Sequence, residues 1–347
     1  MDNAVNGRFH PGWLPDLNTS VSPDLYLNQA GATYCLAKSA RYFGDERYLM
    51  KARQAILSLL ADTQVDAADP ACRTTSLPAM MANRTAAAGL LLMAIHELPN
   101  PAEQLLKQSD ELCQYIRKQQ QPDGSLRCNE GVGDGAANLE SSQTYAGLAL
   151  YGLLLSARDR QAAWKLKIVE QALPYYQAQW KSAPSMELAA GMTPVFAEAY
   201  TQTHARAFSQ FVFEMSDWVC SLQYGTDSGH PTWVGGFKSL ERGNQIMSQP
   251  TVLAAANLES LAHACLVTRH VPDAARYAKY REAIDLGLQF LSGVQYTDAN
   301  TLHFTPGYRT ILIGGFHRSL QDGTLRLDYQ QHAVNAMIDR LTLVGDR

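Results

Sequence analysis

Apolar residues recur at three- and four-residue intervals along most of the chain, and Gly, Pro or Asp breaks punctuate them regularly. In 32–43, Ala32, Cys35, Leu36, Ala40 and Phe43 mark one helix; Gly44-Asp45 stops it, and a second helix follows over 46–60. This is an αα-hairpin with a very short turn. The same grammar returns in 84–98 with 102–119, 143–156 with 161–179, 194–203 with 208–222, and 251–269 with 274–293. Pro101 suits the first turn of its helix, where an N–H has no intrahelical partner. A last helix, beginning near Arg326 or Asp328 and running to 343, stands alone. The pattern thus predicts six first helices and five second helices, an internal repeat carried by periodicity rather than identity. Alternating runs are short and isolated, so no strand is expected.

Loop length separates the two ends of this array. Connections within hairpins take about two to five residues, whereas those between hairpins span 62–83, 120–142, 180–193, 223–250 and 294–327. Helix pairs normally join through about two to eight residues, and long ordered loops are where function concentrates. The long loops therefore gather where each first helix begins. Helix N-termini carry partial positive charge and free N–H groups, which predisposes a cleft there toward an anionic or hydroxyl-rich ligand. The histidines divide along the same axis. His96, His204 and His270 fall at the short-turn end, where an imidazole is a routine partner of a helix C-terminus, and read as structural. His230, His303, His317 and His332 fall at the long-loop end, and His263 lies mid-helix.

Composition narrows the classes of function. An apolar fraction of 46% and a charged fraction of 18% are those of an ordinary globular protein with a large core. A net charge of −4 gives no basic footprint, so nucleic acid is not an expected partner. No run approaches the roughly 18 apolar residues of a spanning helix. The polar start, 1–13, reads as cytoplasmic as written, or as secreted or periplasmic if a signal peptide has been removed. Of the six cysteines, Cys35, Cys113, Cys220 and Cys265 lie in helical patterns, Cys72 and Cys128 in loops, and no Cys-x-x-Cys occurs. They read as small core residues. No metal and no cofactor is expected: the late histidines lack the fixed spacing of a zinc motif, and Gly131–Gly135 lacks the terminal Lys-Ser or Lys-Thr of a phosphate loop.

Candidate chemistry concentrates in 314–332, where a Gly-Gly-Phe turn leads into the last helix. Asp328 and His332 are four apart on one face, so the carboxylate is expected to orient the imidazole as a general base. With Tyr308, Arg309, His317 and Tyr329 this supplies a base, a proton donor and a cation for an anionic sugar, the parts of a β-elimination or an epimerisation. The alternative is that Asp328 caps the helix, Tyr329 packs and His332 pairs with Asp328. A second set is carboxylates, Asp134, Glu140, Asp328 and Glu259, which at the right separation would hydrolyse a glycosidic bond. Asn83 and Arg84 open the second first-helix, and Arg84 is placed either to meet a substrate anion or to pair with a loop carboxylate. Trp233, Tyr296, His230 and His303 complete the expected substrate-binding set. Phe237 and Phe316, each after paired glycines, read as loop anchors.

A local phrase recurs at three helix ends: Gln119-Gln120-Gln121-Pro122-Asp123-Gly124-Ser125-Leu126; Leu222-Gln223-Tyr224 leading to Gly235-Gly236-Phe237; and Val294-Gln295-Tyr296 leading to Gly314-Gly315-Phe316. It resembles the repeat of squalene-hopene-cyclase-like and prenyltransferase-like toroids, in which a Gln caps a helix and an aromatic ring packs on it. The chain from about 28 to 343 also resembles the six-hairpin (α/α)6 group of glycoside hydrolases, sugar epimerases and polysaccharide lyases, and bacterial toroid proteins with an Asp-Tyr-x-Gln-His ending. The resemblance implies a fold rather than a reaction. The Asp-x-Asp-Asp acid of class II cyclases is absent, Asp217-Trp218-Val219-Cys220 has the wrong spacing for the prenyltransferase zinc site, and the Cys-His pair of a lanthionine-cyclase-like zinc site is missing.

The expected architecture is all-α: one (α/α)6 toroid over 28–347, with an N-terminal arm, 1–27, over a seam. The expected function is a carbohydrate-active enzyme, lyase, hydrolase or epimerase, working on an acidic sugar or polysaccharide at the long-loop face. An isoprenoid- or lipid-binding toroid and a non-catalytic carbohydrate- or protein-binding scaffold are the rivals. Oligomeric state is not legible.

Overall fold

In a computed structural model the described residues are 6–21, 25–78, 81–128, 137–241 and 243–345, with side chains for all but 137–142. In chain order, the first helices and their partners are α1 (Tyr26–Phe43) and α2 (Glu46–Leu60), α3 (Arg84–Glu97) and α4 (Glu103–Lys118), and α5 (Ala137–Asp159) and α6 (Ala163–Ser182). They continue with α7 (Met186–Thr203) and α8 (Arg206–Ser221), and α9 (Ala254–His270) and α10 (Ala274–Gly293). A short α11 (Pro306–Leu312) sits inside the last long loop, and α12 (Leu327–Gly345) follows it. The six first and five second helices of the hydrophobic pattern are therefore present.

The first and second helices differ as their sequences dictate. In α3 every residue from Thr85 to Glu97 is buried, matching an apolar surface on all sides. In α4 burial is confined to Leu105, Ser109, Leu112, Cys113, Tyr115 and Ile116, one stripe of an amphipathic helix. Ends are set by local chemistry. Asn83 accepts from Ala86 N at 2.9 Å, Asp273 from Arg276 N at 3.0 Å and Ser185 from Leu188 N at 3.1 Å, each satisfying an orphan N–H. His204 closes α7 in the left-handed region at φ 55°, its N–H on Tyr200 O.

Two expectations change. Pro194, read as a helix start, lies inside α7, which begins eight residues earlier at the Ser185 cap. A proline removes one N–H from the ladder, and the rest of α7 continues around it. Among the described residues there are also eight short strands, two in the N-terminal arm, β1 (Gly12–Leu14) and β2 (Thr19–Ser20), and six in the long loops, β3 (Thr63–Val65), β4 (Arg73–Thr75), β5 (Ser239–Glu241), β6 (Asn244–Ile246), β7 (His317–Ser319) and β8 (Asp322–Arg326). They form hairpins β3-β4 and β5-β6 and a sheet ordered β2-β1-β8-β7. At two to five residues each, they are too short to show an alternating signal.

The chain divides into two compact units, one of residues 1–10 and 24–215, the other of 11–23 and 216–347. In the first, α1, α3, α5 and α7 pack side by side as consecutive neighbours, with α2, α4 and α6 beside α1, α3 and α5. Arg8 bonds Ser58 Oγ at 3.0 Å and pairs with Asp62, while Gln29 exchanges hydrogen bonds with the Phe9 backbone at 2.7 and 2.8 Å, so 6–9 lie along α1 and α2. In the second, α9 packs on both α10 and α12. Here β1 pairs with β8, Trp13 opposite Leu325, and β8 runs directly into α12.

Candidate active site

The second unit is built so that the starts of α9 and α12 are held together. Val252 N donates to Arg318 O at 2.8 Å, tying the approach to α9 onto β7. Gln330, in the first turns of α12, accepts from Phe316 N and donates to Phe316 O, both at 2.7 Å, clamping the Gly-Gly-Phe turn onto the helix. Phe316, 3% exposed, is thus a loop anchor.

Facing side chains then meet across the two helices. His332 Nδ1 lies 2.5 Å from Glu259 Oε1, with the imidazole 30% and the carboxylate 16% exposed. Burial disfavours the imidazolium, but the Glu259 charge and hydrogen bond, helped by Asp328, outweigh it and hold the His332 pKa above the ordinary histidine value. With Nδ1 engaged, Nε2 has no hydrogen-bond partner among the described residues. This is the constellation of a general acid–base: a carboxylate fixes tautomer and ring orientation, and the opposite nitrogen is left to exchange a proton.

The expected Asp328–His332 pair is replaced. Asp328 makes a two-point pair with Arg326, Nε to Oδ1 at 2.9 Å and Nη2 to Oδ2 at 3.0 Å. A guanidinium fork two residues away satisfies both carboxylate oxygens, which a single imidazole nitrogen does not. Arg326 also lies 5.2 Å from the ring of Tyr329, which is 5% exposed and whose phenol is pushed up by burial. Glu259, noted in the sequence only as one of several carboxylates, is the residue that reaches His332. Its signal was slight: an acid on an otherwise apolar helix, one turn before His263.

Other expected site residues are engaged with the protein itself. Tyr308 donates to Pro15 O at 2.9 Å and accepts from Trp13 Nε1 at 2.5 Å. Tyr296, 8% exposed, donates to Gly323 O at 3.0 Å, and burial pushes its phenol up to about 12. His317 binds Ser319 O through Nδ1 at 2.8 Å and packs 4.6 Å from Tyr296; burial lowers its pKa. Arg309 spans Asp298 Oδ1 at 3.0 Å and Asp298 O at 3.1 Å. Tyr308 thus binds 13–15 to the last loop, and the other three bond within that loop. His303 is exposed and lies 4.1 Å from Phe304. Trp233 stacks on His230 at 3.9 Å and 17°, with both half-buried, so a paired aromatic face stands on the loop before α9.

In the first unit, Asn83 is the cap of α3 and its amide also donates to Cys128 O. Arg84 is half-buried at the start of the same helix. Glu140 lies in the first turns of α5, where side chains are outside the described residues, as is Asp134 entirely. Among the described residues no group of three or more His, Cys, Asp or Glu could hold a metal ion, and no helix is long and apolar enough to cross a membrane.

No protein-family model matches the sequence, and no curated protein matches it. Solved structures do match. The α-1,6-mannanase of Salegentibacter sp. HEL1_6 is similar over 98% of this chain and 95% of its own, with a TM-score of 0.64 at 13% identity. Cellobiose 2-epimerase of Bacillus thermoamylovorans B4167 is similar over 96% and 93%, TM-score 0.65 at 9% identity. An unsaturated glucuronyl hydrolase specific for heparin is similar over 100% and 94%, TM-score 0.64 at 13% identity. An inactive variant of the mannanase was solved in complex with α-1,6-mannotriose. These neighbours are six-hairpin, glycosidase-like (α/α)6 toroids, and this chain has that all-α toroid fold.

Proposed function

We propose that the protein is a carbohydrate-active enzyme that moves a proton at a sugar carbon beside a carbonyl or carboxylate, leading to epimerisation or β-elimination, with His332 as the acid–base group and Glu259 as its orienting carboxylate. The observation that carries this reading is the 2.5 Å Glu259–His332 pair with one imidazole nitrogen unengaged. The neutral ring, its Nδ1–H on Glu259, takes the proton through Nε2, and the carboxylate stabilises the imidazolium that forms. The imidazolium then returns the proton to the opposite face of that carbon, once the planar enolate has turned in the site, giving the epimer, or to the departing oxygen, giving the unsaturated sugar. The fold supports the substrate class, since its neighbours include an epimerase and two glycoside hydrolases.

The experiment is incubation in D2O with uronic-acid oligosaccharides and neutral reducing oligosaccharides, followed by NMR and by ultraviolet absorbance of unsaturated product. Solvent deuterium at one sugar carbon, or unsaturated product, lost in His332→Ala, is the expected result. Sugar release without either signal would replace proton transfer by hydrolysis, and turnover indifferent to His332→Ala would remove His332 from the mechanism.

A further inference from the structure

The three Gln-turn repeats share one geometry, and two of them show what the geometry is for. Each forms an isolated bridge, Gln120 to Leu126, Gln223 to Phe237 and Gln295 to Phe316, and each has a glycine at φ +89°, namely Gly124, Gly235 and Gly314. In the first, a Cβ on Gly124 would collide with Gln171 O of α6, while Gln120 Nε2 donates to Ile168 O at 2.8 Å. In the second, a Cβ on Gly235 would collide with Leu286 O of α10, while Gln223 Nε2 donates to Ala283 O at 2.8 Å. The register is the same: glycine under one carbonyl, glutamine on the carbonyl three residues earlier, and a small residue, Ala172 or Gly287, directly after the seated carbonyl. A missing Cβ is what lets the turn lie against helix backbone.

The third repeat has the same parts and no helix. Nothing described lies within 4 Å of where a Cβ on Gly314 would stand. Gln295 Nε2 reaches only Gly314 O, at 3.0 Å, and neighbouring Ile311 and Ile313 are 48% and 40% exposed. The glycine bears the cost of a left-handed turn without the close contact that requires it in the other two. We propose that Gln295, Ile313 and Gly314 form an open seat for an α-helix from another polypeptide. The two filled seats specify its chemistry: a helix carbonyl whose second lone pair faces Gln295, as Ile168 O and Ala283 O do in the filled seats, an apolar side facing Ile311 and Ile313, and Ala or Gly after the carbonyl above Gly314. The helices that carry this register here, α6 and α10, are already seated.

Lactam-stapled peptides of residues 163–182 and 274–293, which carry the register, are titrated against the full chain by fluorescence anisotropy. Saturable binding is expected, weakened at least about tenfold by Gln295→Ala, and lost with Gly314→Val or with Ala172→Leu in the first peptide. Because valine at φ +89° could unsettle the turn, Gln295→Ala and the altered peptide carry the test independently. Failure of both peptides to saturate, or binding indifferent to Gln295→Ala and Ala172→Leu, overturns the seat. A dimer in sedimentation velocity that Gly314→Val dissolves would assign it to a second copy and overturn the heterologous partner.

Discussion

Two histidine–carboxylate pairs of nearly equal length can be compared among the described residues, one in each unit. His96 Nδ1 lies 2.6 Å from Asp159 Oδ2, at the ends of α3 and α5, and His332 Nδ1 lies 2.5 Å from Glu259 Oε1. Their surroundings differ. The His96 side chain is 1% exposed, and its Nε2 is also taken, by Ser109 Oγ at 3.1 Å. Burial is the largest influence on it and lowers its pKa despite Asp159. His332 keeps Nε2 unengaged, and its carboxylate wins over burial. Ser109, His96 and Asp159 even follow the order of a nucleophilic triad, but Ser109 is 0% exposed, so no substrate reaches it. What separates the two pairs is the unengaged nitrogen and the 30% exposure of the His332 ring, both of which the proposed proton transfer needs.

The largest effect expected from this contrast is catalytic. His332→Gln should lower kcat by about 100- to 10,000-fold, the usual worth of a positioned acid–base group, with little change in Tm. His96→Gln should leave kcat within about twofold, because its ring serves only the protein. A steady-state comparison of both variants on the substrate found in the D2O screen measures this. Equal losses in both would erase the distinction.

Stability should respond in the opposite order. His96→Ala removes two buried hydrogen bonds and the packing of a ring, at a cost of about 2–3 kcal/mol in chemical denaturation. At His332, 30% exposed, water can replace part of what is lost, and the cost should stay near about 1 kcal/mol.

The elements behind this contrast were unequally legible in the sequence. Hydrophobic period gave the ten hairpin helices and α12 because each buries a stripe or a whole surface. His96 and His204 were readable as structural from their place at helix C-termini. The partner of His332 was not. An i, i+4 carboxylate is the nearest in sequence, but Arg326 takes Asp328, and Glu259 is brought in by packing over 73 positions of chain. Likewise Tyr308 and Arg309 carry the right chemistry, yet Pro15, Trp13 and Asp298 take it up. Spacing predicts what shares a helix face; only tertiary contact decides which polar group is left over.

Acidity sharpens the comparison because the two shifts have opposite sign. At His96 the folded pKa lies below the unfolded value, so its contribution to stability is present above about 6.5 and falls as pH drops through that value. At His332 the folded pKa is raised, so its contribution is full below the unfolded value and is lost as pH rises through the folded one. Urea midpoints across pH for His96→Gln and His332→Gln should therefore differ from wild type with opposite slopes. The same raised pKa puts the ascending limb of kcat/KM above the ordinary histidine value, and Glu259→Gln should move that limb to lower pH while reducing the maximum. An unmoved limb would mean that His332 is not the titrating base.

The smallest effect lies one turn from His332. Asn335 on α12 is 0% exposed, and neither Nδ2 nor Oδ1 has a hydrogen-bond partner among the described residues, whereas both nitrogens of equally hidden His96 are paired. A buried amide without partners costs roughly 1–3 kcal/mol, and such violations persist mainly where function needs a polar group. Leucine has the same branched outline without the polar atoms. Asn335→Leu should raise stability by about 1 kcal/mol, the relief being partly offset by the larger methyl groups, and thermal denaturation reads it directly. If it stabilises and leaves kcat unchanged, the amide is a packing fault beside the site. If it stabilises while kcat falls, the contrast extends from one side chain to its surroundings on α12: there, unlike around His96, an unsatisfied buried group is retained at the expense of stability because it positions the side chains that react.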